Sequence, residues 1–437
     1  MDVRFHDFNR LLADDSYAIE ILGSTDCVVS NVGPHAHYYF YLRERFRLAF
    51  RIIRDVRTAL WSSYLFQEYL CHSLLRSDDT LLVSSFYARG VYEALFPRTA
   101  LYPTLLCYPL SACFPERQSV WRQHTIRPES DLTLGYLGRI SEDKNFPDLI
   151  RLLIELHATS PSSIGRRFRL FACGHVHSPS CHPRLVARTL EEALGFSDVF
   201  RYFPACAHGE IWDFLAQIDV LLFPSTSNLE TLGRVLVEAS FAGVPVICGD
   251  HAAASELVNP MYLCPVRYER GRWYDCHNDY SLGRTDIEKM RQCILLKSIQ
   301  PSNCIDSYSS HPVRFLAALS ATGVDLIRLV EPLLLTESQH DFIRSIRISM
   351  PSFPRRSSGS LELISSLIPW FLGLQGLTPD LPRAHWTDRL LRLTKQRDRT
   401  ARFIERTRET NQDFTDVGAI DIELCTVANF LPTFSLQ

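Results

Sequence analysis

No two cysteines in this 437-residue sequence stand in a CxxC spacing, and no short segment concentrates them. The thirteen are odd in number and scattered. This argues against a disulfide scaffold and for thiols kept in a reducing compartment, so the expected location is cytoplasmic. An excess of positive charge is also missing. The formal charge is −3, whereas a duplex binder needs a clustered surplus of Lys and Arg, so no nucleic-acid partner is expected. The opening MDVRFHDFNRLLADDSYAIE carries acids and no long apolar run, unlike a secretory signal. The most apolar stretch, LELISSLIPWFLGLQGL (Leu361–Leu377), is short of a bilayer span, contains Glu362 and is broken by Pro369. It reads as a buried helix pair and not as a transmembrane segment. Its Trp-Phe-Leu cluster leaves a peripheral membrane contact open as an alternative. No GxGxxG follows a strand, which disfavours a nicotinamide dehydrogenase. Internal repeats and extended low-complexity tracts are also missing.

What is there is alternation. DCVVSNVG (Asp26–Gly33) and TLLVSSF (Thr80–Phe86) are short β-rich runs, each followed by helical spacing. Prolines 103, 109, 115 and 128 break any long periodic pattern from Tyr102 to Ser130 and mark a boundary or linker. A second, clearer unit follows. LTLGYLGRI, RFRLFACG, VFRYFP, DVLLFPS and VPVICG read as buried strands. Between them FPDLIRLLIELHA, PRLVARTLEEALG, HGEIWDFLAQ and TLGRVLVEASFAG read as amphipathic helices. Continuous apolar strands with covering helices predict an α/β class and a Rossmann-like parallel sheet over about Leu132 to Val266. Beyond Arg267 the pattern turns mainly helical. A linker is predicted at SMPSFPRRSSGS, and a solvated packing helix at Trp386–Thr410, where opposite charges alternate about an apolar stripe.

Two carboxylates in this second unit carry the chemistry. Glu230 follows a predicted buried strand, at the carboxyl edge where open α/β sheets bind ligands. Thr231, Leu232 and Gly233 are then expected to form a first helical turn whose N–H groups receive phosphate oxygens, with Gly233 permitting close approach. Glu238 falls about two turns on, where its carboxylate can accept from vicinal hydroxyls. At the first strand of the unit, Gly138 ends the strand, Arg139 follows, and Lys144 comes five residues later. Two cations there can clamp a diphosphate and stabilise its departure. The alternative is that they pair with Glu142 or Asp143.

GYLGRISEDKNFPDLI, FLAQIDVLLFPS, ETLGRVLVEASFAGVPVIC and SELV, in this order and spacing, resemble the nucleotide-sugar half of retaining GT-B glycosyltransferases of the glycogen-synthase-like group. The resemblance covers about a third of the chain. It implies a GT-B fold of two Rossmann-like domains. Residues 1–130 would form an abbreviated acceptor-side domain, 131–305 the nucleotide-sugar-binding domain, and 306–437 a mainly helical extension. It further implies that Glu230 contacts the donor sugar, Glu238 the ribose, and Thr231–Gly233 the phosphates. Gly138 would line the donor site, with Arg139 and Lys144 on the leaving diphosphate. Retention of configuration follows from the resemblance alone, and neither a cofactor nor a metal is implied.

The first half matches less closely. The glycine-rich strand-loop that opens such enzymes is missing, and DCVVSN already resembles a middle strand. Where relatives place a histidine near the reaction centre, RIIRDVRTALW offers Arg54, Asp55 and Arg57. His35 and His37 of PHAHYYF are further acceptor-side candidates, or loop and packing histidines. CGHVHSPSCHP crowds Cys173, His175, His177, Cys181 and His182 into ten residues. Its spacing matches no standard zinc site, so free thiols and surface imidazoles are expected. The resulting expectation is transfer of a sugar from a nucleotide sugar to an acceptor that the sequence leaves unnamed. A non-catalytic sugar-nucleotide-binding or regulatory partner is the alternative.

Overall fold

The alternation read between Leu132 and Val266 is present in the computed structural model as a six-stranded, wholly parallel sheet. The structure describes residues 6, 10–11, 14–30, 36–56, 71, 74–95, 103–107, 131–159, 167–227, 230–268, 283–296, 298–302, 311–320, 327–328 and 330–349. The linker read at 350–360, the apolar stretch at 361–377 and the charged helix at 386–410 lie outside them. So do His35 and Arg57.

The first sheet is built from β1 (Cys27–Ser30), β2 (Arg51–Val56), β3 (Thr80–Val83) and β4 (Thr104–Leu106). All are parallel, in the order β1-β2-β3-β4. β4 corrects the reading of Tyr102 onward as linker: Pro103 precedes the strand, where its missing N–H costs no ladder bond. Helices α1 (Asp15–Gly23), α2 (His37–Arg45) and α3 (Phe86–Leu95) belong to the same half. Asp14 caps α1 by accepting from Tyr17 N–H at 3.0 Å.

A monotonic strand order has a topological consequence. Right-handed crossovers that all step the same way put every connection on one face. The opposite face, carrying Ile53, Leu82 and Leu105, needs another cover. It comes from α10 (His311–Ser320, numbered in chain order after the elements below), which sets Ala318 with Phe315 and Leu319 against those side chains. Arg51, buried on β2, donates to the carbonyls of Ala318 (2.8 Å) and Leu319, capping the last turn of α10 with a cation. At the same end of the sheet, just before β3, Asp79 forms a fully buried bidentate pair with Arg43 at 2.6 and 2.8 Å. Asp79 also accepts from the backbone N–H groups of Ile52 and Arg76.

The second sheet contains β5 (Leu132–Leu137), β6 (Phe168–Cys173), β7 (Phe200–Phe203), β8 (Val220–Phe223), β9 (Val246–Gly249) and β10 (Leu263–Cys264), in the order β10-β9-β8-β5-β6-β7. Its helices are α4 (Phe146–Thr159), α5 (Pro183–Leu194), α6 (Ile211–Leu215), α7 (Arg234–Phe241) and α8 (Ala254–Leu257). A small antiparallel pair, β11 (Val266–Tyr268) and β12 (Gly283–Thr285), leads into α9 (Ile287–Ile294). The order reverses between β5 and β8, which is the switch point where such sheets open a crevice.

The two halves are joined by polar contacts and by the last described helix, α11 (Glu337–Ser349). The Glu256 carboxylate on α8 accepts from the N–H groups of Phe86 and Tyr87 at the start of α3, each at 2.8 Å, and from Gln339 at 3.0 Å. Burial outweighs these three donors and pushes Glu256 up to about 7. Gln339 also donates to Ala252 O, and Leu335 and Ile343 lie close against Gly90 of α3. Helix α10 therefore packs onto the first half, and α11 onto both.

Candidate functional site

At the switch point the loops leaving β5 and β8 face each other across a cavity of about 440 Å³, within the range of small-ligand pockets. Tyr136 to Arg139, Lys144, Ile211, Phe223, Glu230, Gly233 to Val235 and Glu238 line it. Every candidate residue named for the second unit lies on or beside this one cavity.

The β5 loop is shaped by two glycines. Gly138 sits at φ +143° and keeps the ladder running by donating to Cys173 O at 2.9 Å. Gly174, the matching residue after β6, sits at φ +152°, and a Cβ there would stand 1.8 Å from the Gly138 carbonyl oxygen. Only glycine lets the two loops close. Beyond them Ile140 N–H donates to His175 O (2.8 Å), and His177 N–H returns to Ile140 O (3.0 Å). Ser178 Oγ accepts from Glu142 N–H, and Ser180 Oγ–H donates to the Glu142 carboxylate. The histidine- and cysteine-rich stretch thus buttresses the cation loop. Among the described residues no three His, Cys, Asp or Glu side chains converge as a metal site. Burial, with the neighbouring Cys206 thiol, pushes Cys173 up to about 12, and burial pushes Cys181 up to about 11. Such thiols stay protonated at neutral pH.

Asn145, which sequence reading passed over, ties the two loops together. It adopts the left-handed conformation at φ 54° that asparagine tolerates better than most residues. Its amide donates to Pro224 O (3.0 Å), Thr226 Oγ1 (2.9 Å) and Gly283 O (3.2 Å). Its only sequence signal is an asparagine just before a helix. His251 does similar work from below. Its Nε2 faces Ser227 O at 2.9 Å and its Nδ1 the Tyr268 hydroxyl at 2.9 Å. A carbonyl only accepts, so Nε2 carries the proton and Nδ1 accepts from Tyr268. Burial holds this imidazole down at about 4, so it stays neutral.

The charged groups are arranged as opposed pairs. Arg139 donates to Asp143, which is itself buried, and Lys144 donates to Glu230 Oε1 across the cavity. Of the two pairings considered from sequence, the Arg139–Asp143 one is present. Lys144 reaches instead to the other loop. Ser225 Oγ–H adds a 3.2 Å bond to the same Glu230 oxygen. Glu238, 5 % exposed, is held by His208 Nε2 and Arg234 Nε, each 2.8 Å from Oε1.

One local expectation is corrected. Thr231 to Gly233 are not the first helical turn: α7 begins at Arg234, with Gly233 as its N-cap at φ +72°. A left-handed residue cannot sit inside a right-handed helix, so Thr231 and Leu232 remain in the approach loop. The Thr231 carbonyl accepts from Ser85 Oγ–H of the first half at 2.9 Å. The first-turn N–H groups facing the cavity are consequently those of Arg234 and Val235.

The first half contributes differently from expectation. Arg54 and Asp55 are 0 % and 3 % exposed within β2, an inner strand flanked by β1 and β3. Arg54 donates to the carbonyls of Ser30 and Asp55. They are buried strand residues, not side chains presented to an open cleft. His37 is the first residue of α2.

The model of the family described as glycosyl transferases group 1 matches residues 118–284. D-inositol 3-phosphate glycosyltransferase of Stackebrandtia nassauensis is 30% identical over 120 residues, covering 28% of this chain and 26% of that protein. The matched segment thus spans about a quarter of that relative's length. Among solved structures, Anabaena HepE in complex with UDP is 14% identical, with 76% of this chain and 81% of that chain covered and a TM-score of 0.46. Sucrose-phosphate synthase of Thermosynechococcus elongatus is 13% identical over 80% of this chain and 81% of its own, with a TM-score of 0.42. Among the described residues no helix is long and apolar enough to cross a membrane.

Proposed function

We propose that this chain, which carries a glycosyl transferases group 1 region over residues 118–284, moves a sugar from a nucleoside diphosphate sugar to an acceptor hydroxyl with retention of configuration. The observation that carries the reading is the cavity at the β5/β8 switch point, where three cations, Arg139, Lys144 and Arg234, and two carboxylates converge beside the N-terminus of α7. Glu238 takes the ribose hydroxyls. Gly138, Thr231, Leu232 and Gly233, with the N–H groups of Arg234 and Val235, form the seat of the diphosphate. When the donor enters, Lys144 exchanges Glu230 for a phosphate oxygen, and Glu230 is released to accept from hydroxyls of the transferred sugar. Arg139 and Lys144 then stabilise the charge that develops on the departing diphosphate. These groups do the charge work assigned elsewhere to a metal, so none is included. The acceptor approaches from the first-sheet side, where His35 and His37 are the candidates, and its proton passes to the departing phosphate. The cytoplasm, where nucleotide sugars and reduced thiols coexist, is the proposed location.

A second reading, a non-catalytic nucleotide-sugar-binding partner, draws on the burial of Arg54 and Asp55 in a first sheet of four described strands. A thermal-shift screen of nucleoside diphosphates and their sugars, followed by donor turnover with and without chelator, tests both. A ligand of the native state raises the melting temperature. Chelator-insensitive release of nucleoside diphosphate from one donor is the expected outcome. Binding without turnover of any donor favours the second reading, and no binding at all overturns both.

A further inference from the structure

Glu238 is held in a way that its proposed partner alone does not require. Both neighbouring donors, His208 Nε2–H and Arg234 Nε–H, reach the same oxygen, Oε1, at 2.8 Å. A carboxylate offers about four lone-pair sites over two oxygens. With Oε1 doubly engaged, Oε2 remains for the cavity that Glu238 lines. The two donors are not equivalent. Arg234 is the first residue of α7, four residues before Glu238 on the same helix, 54 % exposed and itself lining the cavity. A long cationic chain placed there is free to swing to an incoming phosphate. His208 is 30 % exposed and comes from a different element, thirty residues away in sequence. The turn that carries it is closed by Glu210 N–H donating to Ala207 O (2.9 Å) and Ala207 N–H donating to the Glu210 carboxylate (3.0 Å). Its ring stands edge-on to Trp212, with centroids 6.1 Å apart, and Trp212 packs edge-on to Phe241 of α7 at 5.4 Å. A short, braced imidazole on a rigid platform holds one geometry where an exposed arginine holds several.

We infer that His208 is the positioning residue for nucleotide recognition. It fixes Glu238 so that Oε2 meets the ribose 2′- and 3′-hydroxyls, and it thereby sets the preference for ribonucleotides over 2′-deoxyribonucleotides. This rests on the donor-site reading above, and it adds a residue and a selectivity to that reading. His208 does not touch the ligand. Its contribution is the orientation of an acceptor whose hydrogen bonds a deoxy sugar cannot fully complete.

The test is calorimetric titration of the full chain with UDP, GDP and ADP and with their 2′-deoxy counterparts. The pair whose ribo form binds best is carried forward. His208→Ala is expected to weaken binding of the ribo form about 10-fold and of the deoxy form by less than about 2-fold, collapsing the ratio between them. His208→Gln, which keeps a neutral N–H donor, is expected to recover most of the ratio. In a Glu238→Ala background, removal of His208 is expected to have no further effect. Unchanged ribo affinity in His208→Ala, or equal losses for both sugars, overturns the inference while leaving the donor site standing. Failure of the unmodified protein to bind any of the six diphosphates overturns the donor-site reading, and the inference falls with it.

Discussion

Lowering the pH from 7.5 to 4 should charge a group that the fold is built to keep neutral. His251 is wholly buried between Ser227 O and the Tyr268 hydroxyl, with the rings of Tyr87 and Phe342 beside it. Its proton affinity falls from the ordinary 6.5 to about 4 because burial opposes the cation and outweighs the Ser227 carbonyl and Glu230, which favour it. The unfolded chain therefore takes up a proton below pH 6.5, while the folded chain resists until about pH 4. Stability from this group is complete above pH 6.5 and is lost as pH falls toward 4. At 1.36 kcal/mol for each pH unit of that window, the loss is about 3 kcal/mol by pH 4. Urea unfolding of the unmodified protein and of His251→Asn across this range isolates the effect, because the other titrating groups cancel in the difference. The stability advantage of the histidine should shrink by about 3 kcal/mol from pH 7.5 to 4, most of it below pH 6. A constant difference would show that this imidazole is not held neutral. Ser227 belongs to the loop that delivers Glu230, so nucleotide affinity should decline over the same interval.

The two acids should fail differently. Glu238→Ala should weaken binding of the nucleoside diphosphate and of its sugar alike, by about 1.5–3 kcal/mol. Glu230→Ala should spare the free diphosphate and instead reduce turnover and discrimination among donor sugars. Equal losses in calorimetry would reverse the assignment. Arg139→Ala and Lys144→Ala should each cost about 2–4 kcal/mol in kcat/KM, Arg139→Ala with a lowered melting temperature as well because buried Asp143 loses its cation, and undiminished turnover would remove them from the leaving-group role. Gly174→Ala places a methyl against the Gly138 carbonyl, so it should lower the unfolding midpoint by the equivalent of about 1–3 kcal/mol and reduce nucleotide affinity with it. A variant as stable as the unmodified protein would refute the close approach of these loops.

Five of the six strands of the second sheet were legible as mainly apolar runs alternating with amphipathic helices, whereas the two-residue β10 and the four-residue α8 are too short to show a period. The facing acids and cations were legible for a related reason: switch-point chemistry sits at strand ends, and strand ends can be read. What failed was tied to single backbone angles and to distance along the chain. Gly233 at positive φ shifts the start of α7 to Arg234, and no composition rule distinguishes a glycine inside a first turn from one that caps it. Asn145, His208 and His251 act on residues 81, 30 and 24 positions away, separations at which periodicity carries no information. Arg54 and Asp55 were candidates because their run resembles the one where relatives place a histidine, yet they are interior to the sheet. The part that the segment around Cys173 to His182 plays in bracing the cation loop rests on backbone bonds, two serine hydroxyls and Gly174, none of which its histidines and cysteines signal.

The cover that α10 places over the first sheet also orders events in time. The described strands of that sheet end at Leu106, while the residues that cover its second face, Phe315, Ala318 and Leu319, lie about 200 residues later. At about 5–20 residues per second, a ribosome takes roughly 10–40 s to bridge that gap. Over this interval Ile53, Leu82 and Leu105 have no α10 to bury them, and the buried guanidinium of Arg51 has no helix end to cap. The intervening sheet, by contrast, draws all six strands from the span between Leu132 and Cys264 and can close as it is made. The half synthesised first is therefore finished last, after all six strands of the second sheet have left the ribosome.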